Sequence, residues 1–408
     1  MTTAYEFLTV ETVPDYIRAT PALADRVDPD QLLWVREIGD GNLNLVFLAR
    51  DTSGRGLVLK QALPYVRMTG EGWPMTPERA RFEVDSLRAH HALLPEHVVE
   101  VFDYNPERHI IAMEDLSDHW VWRGALNEGL THDGAAAAIG RYVGAVAFGT
   151  SALGMERAAL AQALQASVNP ELCLITEDLV FTEPSVDAGR NSTLEANRRD
   201  AEELAADEEF VTAMGRAKWL FMTKAEALIH GDLHTGSVMV RAASDGRPRS
   251  TKVFDSEFAF YGPVGFDLGL SYANYVIAAA RAFALGEDER AAWALGLLDE
   301  TWQAFDMTFR ALWPRRLDPS VFTEATLADF IAKVAVDGLG FGAAEAMRRI
   351  VGLAKTADIE TLPPELREGA ARGVLRASRM MATTRHRDPS AAAAAARAGD
   401  ILLATRTR

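Results

Sequence analysis

Short apolar runs separated by turn residues fill the first part of the chain, and helical spacing takes over after it. The runs Leu32–Ile38, Leu45–Ala49 and Leu57–Gln61 are divided by segments rich in Gly, Asp, Asn and Ser. That pattern predicts three strands of an antiparallel meander. A further strand pair, Val98–Tyr104 and His109–Met113, turns at Asn105-Pro106-Glu107-Arg108. Between the two groups, Gly70–Thr76 reads as a loop carrying Trp73. Thr76-Pro77-Glu78-Arg79 reads as a helix start, with Thr at the N-cap and Pro at the first helical position. Residues 1–30 are acidic and helix-compatible, broken by Pro14 and Pro21. From Asp118 onward the apolar positions recur at helical spacing. Helices are expected over Gly134–Gly149, Ser192–Ala227, Leu270–Ala284, 287–312, 323–350 and 363–382. Glu171–Arg190 is irregular, and the Ala-rich tail 383–408 is either a terminal helix or partly disordered. The change of period divides the chain into a β-rich unit, 1–115, with 1–30 as a helical extension, and a mainly helical unit, 116–408. The fold class is α+β.

One β-like patch interrupts the helical part. Leu228-Ile229 approach a tight Gly231-Asp232 corner, and Val238–Arg241 reads as the return strand. Val253-Phe254 reads as a second short strand, ending in Asp255 and Glu257. A hairpin of these pieces would gather Asp232, Asp255 and Glu257. Three carboxylates repel one another unless a cation sits among them. A lone Asp on a loop is usually just solvated. Here the flanks, Ala227-Leu228-Ile229 and Val253-Phe254 with Phe258 and Phe260, place the acids beside core strands. The cluster therefore points to a metal and phosphate site.

Composition narrows the reading. The 408 residues fit two to three domains or one large two-lobed enzyme. A net charge of −16 argues against general nucleic-acid or anionic-membrane binding. The one cysteine, Cys173, permits no internal disulfide and no Cys-based zinc site, which suits a reducing cytosol. No signal peptide is evident at the start, and no apolar run is long enough to predict a membrane span. The acidic stretch Asp200–Glu209 is read as a solvated helix face.

The remaining candidates fall in a functional order. The turn Gly39-Asp40-Gly41-Asn42-Leu43-Asn44 is rich in residues that tolerate φ > 0, so Gly39, Gly41, Asn42 and Asn44 suit a loop whose amides approach phosphate. Lys60 ends an apolar strand and would neutralise phosphate charge, held by Glu83 on the following helix. Asp255 and Glu257 offer the hard oxygens that Mg²⁺ prefers. Asp232 would orient or deprotonate an alcohol. Each feature alone is weak, but together and in this order they describe phosphoryl transfer, which needs positioning and charge neutralisation above all.

The same residues resemble a known group. His230-Gly231-Asp232-Leu233-His234 is similar to the catalytic loop of the small-molecule kinases of the protein-kinase-like fold, the branch holding aminoglycoside and choline kinases. The 5-methylthioribose kinase family is the closer resemblance. It is carried by Gly39–Asn44, Gly72-Trp73-Pro74, His230–Ser237, Asp255–Pro263 and the pair Arg348-Arg349, and covers about residues 30 to 355. Two departures from the general kinase pattern occur together: Ser237 stands where an Asn is usual, and Asp255-Ser256-Glu257 where Asp-Phe-Gly is usual. Glu257 can supply the metal oxygen that the missing amide would have given. The resemblance implies a bilobal fold with ATP between the lobes and adenine against Glu114 to Leu116. It implies phosphorylation of the anomeric 1-hydroxyl of 5-methylthio-D-ribose, in methionine salvage. Asp232 would be the base and the segment around Trp73 a mobile cover over the substrate. Arg348 and Arg349, which spacing alone would leave on a solvated face, would reach the phosphoryl group and the sugar. A cytoplasmic homodimer with no nucleic-acid or membrane partner is implied as well. Two alternatives stand beside this reading: a kinase of another small alcohol (a different 5-substituted pentose, an aminoglycoside or choline), and a nucleotide-binding pseudokinase.

Overall fold

In the computed structural model the described residues are 5–38, 43–66, 70–244 and 246–407, with the side chains of Val66, Glu71 and Trp73 excepted. Gly39, Gly41 and Asn42 lie outside the described residues, as does the Trp73 side chain.

The meander forms as its pattern predicts. Strands β1 (Leu32–Glu37), β2 (Asn44–Asp51) and β3 (Gly56–Ala62) are joined by β7 (Ile110–Glu114) and β6 (Val101–Asn105) in the antiparallel order β1-β2-β3-β7-β6. Side chains alternate across a strand, so β3 presents two different faces. Leu57 and Leu59 pack outward with Phe47, Ile110 and Ala112. Lys60 takes the other parity and turns inward, paired in register with Val46 and Ile111. The outer face is covered by the N-terminal segment through Leu8, Val13, Tyr16, Ile17, Leu23 and Val27. Among the described residues there, α1 (Val13–Ala19) and a single 3₁₀ turn (Pro21–Leu23) are helical. The segment is a strap more than a helix, because Pro21 ends what Pro14 begins.

Two further boundaries differ from the sequence pattern. Gly70–Pro74 is not a loop: it is β5, which pairs with β4 (Tyr65–Val66). The helix expected to start at Thr76 starts later, as α2 (Arg79–Leu93). Thr76 Oγ1 accepts from Glu78 N–H (3.3 Å), so its cap bond closes a turn ahead of the helix. Helix α2 is bonded into the rest of the chain. Ser86 Oγ lies 2.7 Å from Ser256 Oγ, and His90 Nε2–H donates to Leu228 O (2.8 Å).

Beyond β8 (Trp120–Val121) the chain is mainly helical. It runs through α3 (Trp122–Asn127), α4 (Ala135–Gly149), α5 (Arg157–Ala166) and α6 (Pro170–Thr176). The irregular Glu171–Arg190 is more helical than expected, since a π-helical turn, Glu177–Thr182, continues α6. Ser192–Ala227 is two helices, α7 (Arg198–Ala205) and α8 (Glu208–Thr223). The break is Asp207, which caps α8 by accepting from Phe210 N–H (3.1 Å). Next come β9 (Ala227–Ile229), β10 (Val238–Arg241), β11 (Ser250–Val253) and β12 (Phe260–Gly262). The expected hairpin forms between β10 and β11, and β10 also pairs with β8; β9, read as the strand that β10 returns along, pairs instead with β12. The helices α9 (Gly265–Ala284), α10 (Asp288–Leu312), α11 (Glu324–Val351), α12 (Ala357–Glu360), α13 (Pro364–Thr384) and α14 (Ala391–Thr405) complete the chain. Helices α9 and α11 meet backbone to backbone: a Cβ at Gly269 would lie 2.6 Å from Gly342 N. That contact fixes α11, and hence Arg348 and Arg349, against the helix that follows the acidic loops. No helix among the described residues is long and apolar enough to cross a membrane.

Candidate active site

The corner after β9 is built around Gly231. Its φ is +80°, and a Cβ there would lie 2.2 Å from Phe258 O, so only glycine fits. Asp267, in the first turn of α9, accepts from His230 N–H (2.8 Å) and Gly231 N–H (3.0 Å). Desolvation of this buried carboxyl pushes it up to about 7, against the pull of those two donors. His230 is fully buried. Its Nδ1 accepts from Asp232 N–H (3.2 Å) and its Nε2–H donates to Phe254 O (2.9 Å). Burial holds the ring neutral, at about 4, and that matches one donating and one accepting nitrogen. One imidazole therefore ties the Asp232 corner to the residue preceding Asp255.

Asp232 Oδ1 lies 3.8 Å from Arg348 Nη2, and Oδ2 lies 3.4 Å from His234 Nε2. Desolvation pushes the Asp232 carboxyl up to about 6; Arg348 and Arg349 oppose this and Glu345 and Asp255 add to it. The twin arginines are not on a solvated face. Both are anchored on Glu345 one turn earlier, Arg348 Nε at 2.5 Å and Arg349 Nε at 2.7 Å, and Glu345 is 0% exposed.

The second cluster forms where Lys60 meets α2 and the loop after β11. Lys60 Nζ donates to both Glu83 oxygens (2.9 and 2.7 Å) and to Asp255 Oδ1, and lies 3.9 Å from Glu257 Oε2. Burial works against the charge on Lys60, but Asp255, Glu83 and Glu257 outweigh it and hold the ammonium above its ordinary range. Burial, with Asp255 and Glu257 alongside, pushes Glu83 up. Asp255 has φ +68°, a left-handed backbone on a residue that is not glycine. Strain of this kind persists where the surroundings over-determine it. One oxygen each from Glu83, Asp255 and Glu257 lies within 4.8 Å of the others. Among the described residues three carboxylates face two cations here, Lys60 and Arg79, which leaves a negative surplus among them in a poorly solvated place. Hard oxygens at that spacing fit a divalent cation. Asp255, with its side chain 37% exposed, is the most accessible of the three.

Asn44 sits in the same cluster by its side chain, Nδ2 donating to Glu257 Oε2 (3.1 Å). A cavity of about 230 Å³ adjoins it, lined by Asn44, Val58, Lys60, Met113, Leu116 and Asp255. Glu114 also borders this cavity, but its carboxylate is occupied by Lys252 Nζ (2.7 Å) and Glu100 N–H (3.2 Å). A larger cavity of about 700 Å³ is lined by Asp232, His234, Arg348 and Arg349 together with Met75, Ile175, Leu179, Val180, Phe258 and Leu353. The expected residues thus fall into two adjoining groups, Lys60–Glu83–Asp255–Glu257 and Asp232–Arg348–Arg349.

Sequence reading missed several members. Arg79 is 0% exposed. It donates to Leu63 O (2.8 Å), Thr76 O (2.8 Å), Leu43 O and Asn44 Oδ1 (3.3 Å), and its Nε lies 3.3 Å from Glu257 Oε2. Its signal was its place four residues before Glu83, on the same helix face. Glu345 had the matching signal, three and four residues before the arginines. Asp267 had none beyond following a Gly-Pro loop.

Residues 34–313 match the family described as phosphotransferase enzyme family. A methylthioribose kinase of Yersinia pseudotuberculosis is 39% identical over 371 residues, covering 88% of this chain and 88% of that one. A methylthioribose kinase of Pectobacterium atrosepticum is 38% identical over 368 residues, 88% of this chain and 89% of the other. Among solved structures, an ethanolamine kinase of Plasmodium vivax aligns over 97% of this chain and 90% of that one, at 11% identity and a TM-score of 0.47.

Proposed function

This chain belongs to the phosphotransferase enzyme family and has an α+β, kinase-like fold; on that premise we propose how it acts. It is a small-molecule sugar kinase that transfers the γ-phosphoryl group of ATP to the anomeric 1-hydroxyl of 5-methylthio-D-ribose. The product is 5-methylthio-D-ribose 1-phosphate, and the step belongs to methionine salvage. One observation carries the reading. Asp232 and the twin arginines line a roughly 700 Å³ cavity together with apolar side chains such as Met75, Ile175, Leu179 and Phe258, beside the Lys60–Asp255 cluster. Charge is available where a phosphoryl group and an alcohol would meet, and a greasy surface where a thioether methyl would lie.

We read residues 1–115 and 116–408 as two lobes with ATP between them. The adenine would lie against the backbone of Glu114 to Leu116, over Val58 and Met113. The Gly39–Asn42 segment would cover the phosphates, with Asn44 steadying Glu257 behind it. Lys60, held by Glu83, would neutralise phosphate charge. Asp255 and Glu257 would hold Mg²⁺, which would supply positive charge to offset that of the phosphates. Asp232 would accept the proton of the 1-hydroxyl, so it must be ionised to act. Arg348 and Arg349 would present guanidinium forks to the transferring group and the sugar, a geometry suited to phosphate oxygens. The segment carrying Trp73 would close over the sugar. We place the enzyme in the cytosol, where ATP is available, as a homodimer.

The test is an ADP-release assay with methylthioribose, ribose, choline and kanamycin side by side. Methylthioribose should give the highest kcat/KM. Ribose, lacking the apolar 5-substituent, should fall by roughly ten- to two-hundredfold. Faster turnover of choline or kanamycin would overturn the assignment; two arginines near Asp232, Arg349 buried and Arg348 mostly covered, already disfavour a cationic substrate.

A further inference from the structure

After Asp232 and Leu233 the catalytic stretch continues as His234-Thr235-Gly236-Ser237, and the function above gives none of these four a task. In the structure they converge on one ring. His234 Nδ1 accepts from Gly236 N–H (3.0 Å) and lies 3.3 Å from Ser237 Oγ. Both neighbours are donors, so Nδ1 carries no proton and the ring is the Nε2–H tautomer. Nε2 lies 3.4 Å from Asp232 Oδ2, and both residues line the larger cavity. Gly236 leaves the ring its place: a Cβ there would lie 2.7 Å from His234 Cε1 and 2.9 Å from Nδ1. The turn itself is pinned to α9. Thr235 Oγ1 (3.0 Å) and Arg123 Nη2 (2.9 Å) both donate to Asn274 Oδ1. Ser237, standing where related kinases carry a metal-binding Asn, directs its hydroxyl at this ring instead.

We infer that His234 is a positioning residue for the base: its Nε2–H holds Asp232 Oδ2, leaving Oδ1 to face Arg348 and the substrate hydroxyl. The inference rests on the reading of Asp232 as base. Burial, reinforced by Arg123, Arg349 and Arg348, holds the imidazole far below its ordinary range, so it stays a neutral donor throughout the working pH. A donor to a carboxylate favours the charged form and so keeps the base ready.

The experiment compares His234→Leu, His234→Gln and Gly236→Ala in kcat, in KM for ATP and in the pH dependence of kcat/KM. Among the described residues, the other charged or titratable groups near Asp232 are Arg348, Arg349 and Glu345 from α11, Asp255 from the loop after β11, Arg123 from α3, Asp267 from α9, and the neutral His230 ring. None changes in these variants. His234→Leu should lower kcat about tenfold with KM for ATP unchanged. Its acid limb should move up by about half a unit to one unit, because a carboxylate that loses a donor is easier to protonate. Gly236→Ala should shift the limb the same way by displacing the ring. Gln, whose amide nitrogen reaches about as far as Nε2, should restore the limb. An acid limb of wild-type position in His234→Leu, or a Gln variant no better than Leu, overturns the inference. The Asp232 carboxyl titration, followed by ¹³C NMR without substrate, reads the same shift. A wild-type protein that fails to turn over methylthioribose would count against the functional reading, while the titration still decides the role of His234.

Discussion

Replacing Glu345 by Gln tests whether the arginine pair is held for chemistry. Glu345 pairs with residues three and four positions ahead on α11, the spacing of an ordinary surface ion pair worth about 0.3–0.5 kcal/mol. Burial changes the regime. Glu345 is 0% exposed and Arg349 7%, and removing one partner of a buried pair costs about 3–5 kcal/mol. Gln keeps a carbonyl that accepts from one guanidinium, and Arg348 has Asp232 within 3.8 Å as a second partner. The net loss should therefore be about 2–3 kcal/mol, a drop in Tm of roughly 3 °C. Burial alone would raise the Glu345 carboxyl, but Arg348 and Arg349 outweigh it and hold the group below its ordinary 4.5. With the folded pKa depressed, its stabilisation is full above that ordinary value and is lost as pH falls through the folded one. The stability gap between wild type and variant should thus close in acid. Catalysis should respond separately. Two forks without a common anchor should lower kcat by about ten- to a hundredfold. Glu345 also helps raise Asp232, so its removal should move the acid limb of kcat/KM below about 6. Urea unfolding at several pH values and a pH–rate profile measure both effects. Wild-type kcat with an unmoved limb would refute the reasoning and leave Glu345 a purely structural residue.

The other predictions concern the two adjoining groups. Wild-type kcat/KM should fall tenfold per unit below about pH 6, as Asp232 takes up the proton that stops it acting as base; a flat profile down to pH 5 would remove it from that role. Asp232→Asn should keep nucleotide affinity by calorimetry and lose about 10²–10⁴-fold in kcat. Glu257→Ala should raise the Mg²⁺ concentration giving half-maximal rate, and an unchanged titration would mean that Asp255 binds the metal without it. Arg79→Met should lower stability by about 3–5 kcal/mol in urea unfolding, because it strands the buried Glu257 and the carbonyls of Leu43, Leu63 and Thr76.

What was legible in the sequence follows from the range of the forces involved. The alternation that builds β3 also turns Lys60 to the inner face, since strand parity is local and one residue of slip would reverse it. The acids were legible because apolar neighbours surround them, and carboxylates beside core strands need a reason to be there. The pairing of β9 with β12 was not, because Leu228 and Tyr261 meet only once the intervening chain has folded. Arg79 and Glu345 were hidden for a different reason. Charged residues spaced three or four apart on a helix look alike whether they face water or the interior, and burial, which the spacing does not encode, sets their worth. Arg348 and Arg349 would have stayed on that solvated face had resemblance not singled them out, and Glu345 beneath them explains how two cations are kept together beside Asp232. The ionic network behind Asp232 thus depends on helix packing such as the glycine contact of α9 with α11, which is a property of the folded chain and not of any single stretch of it.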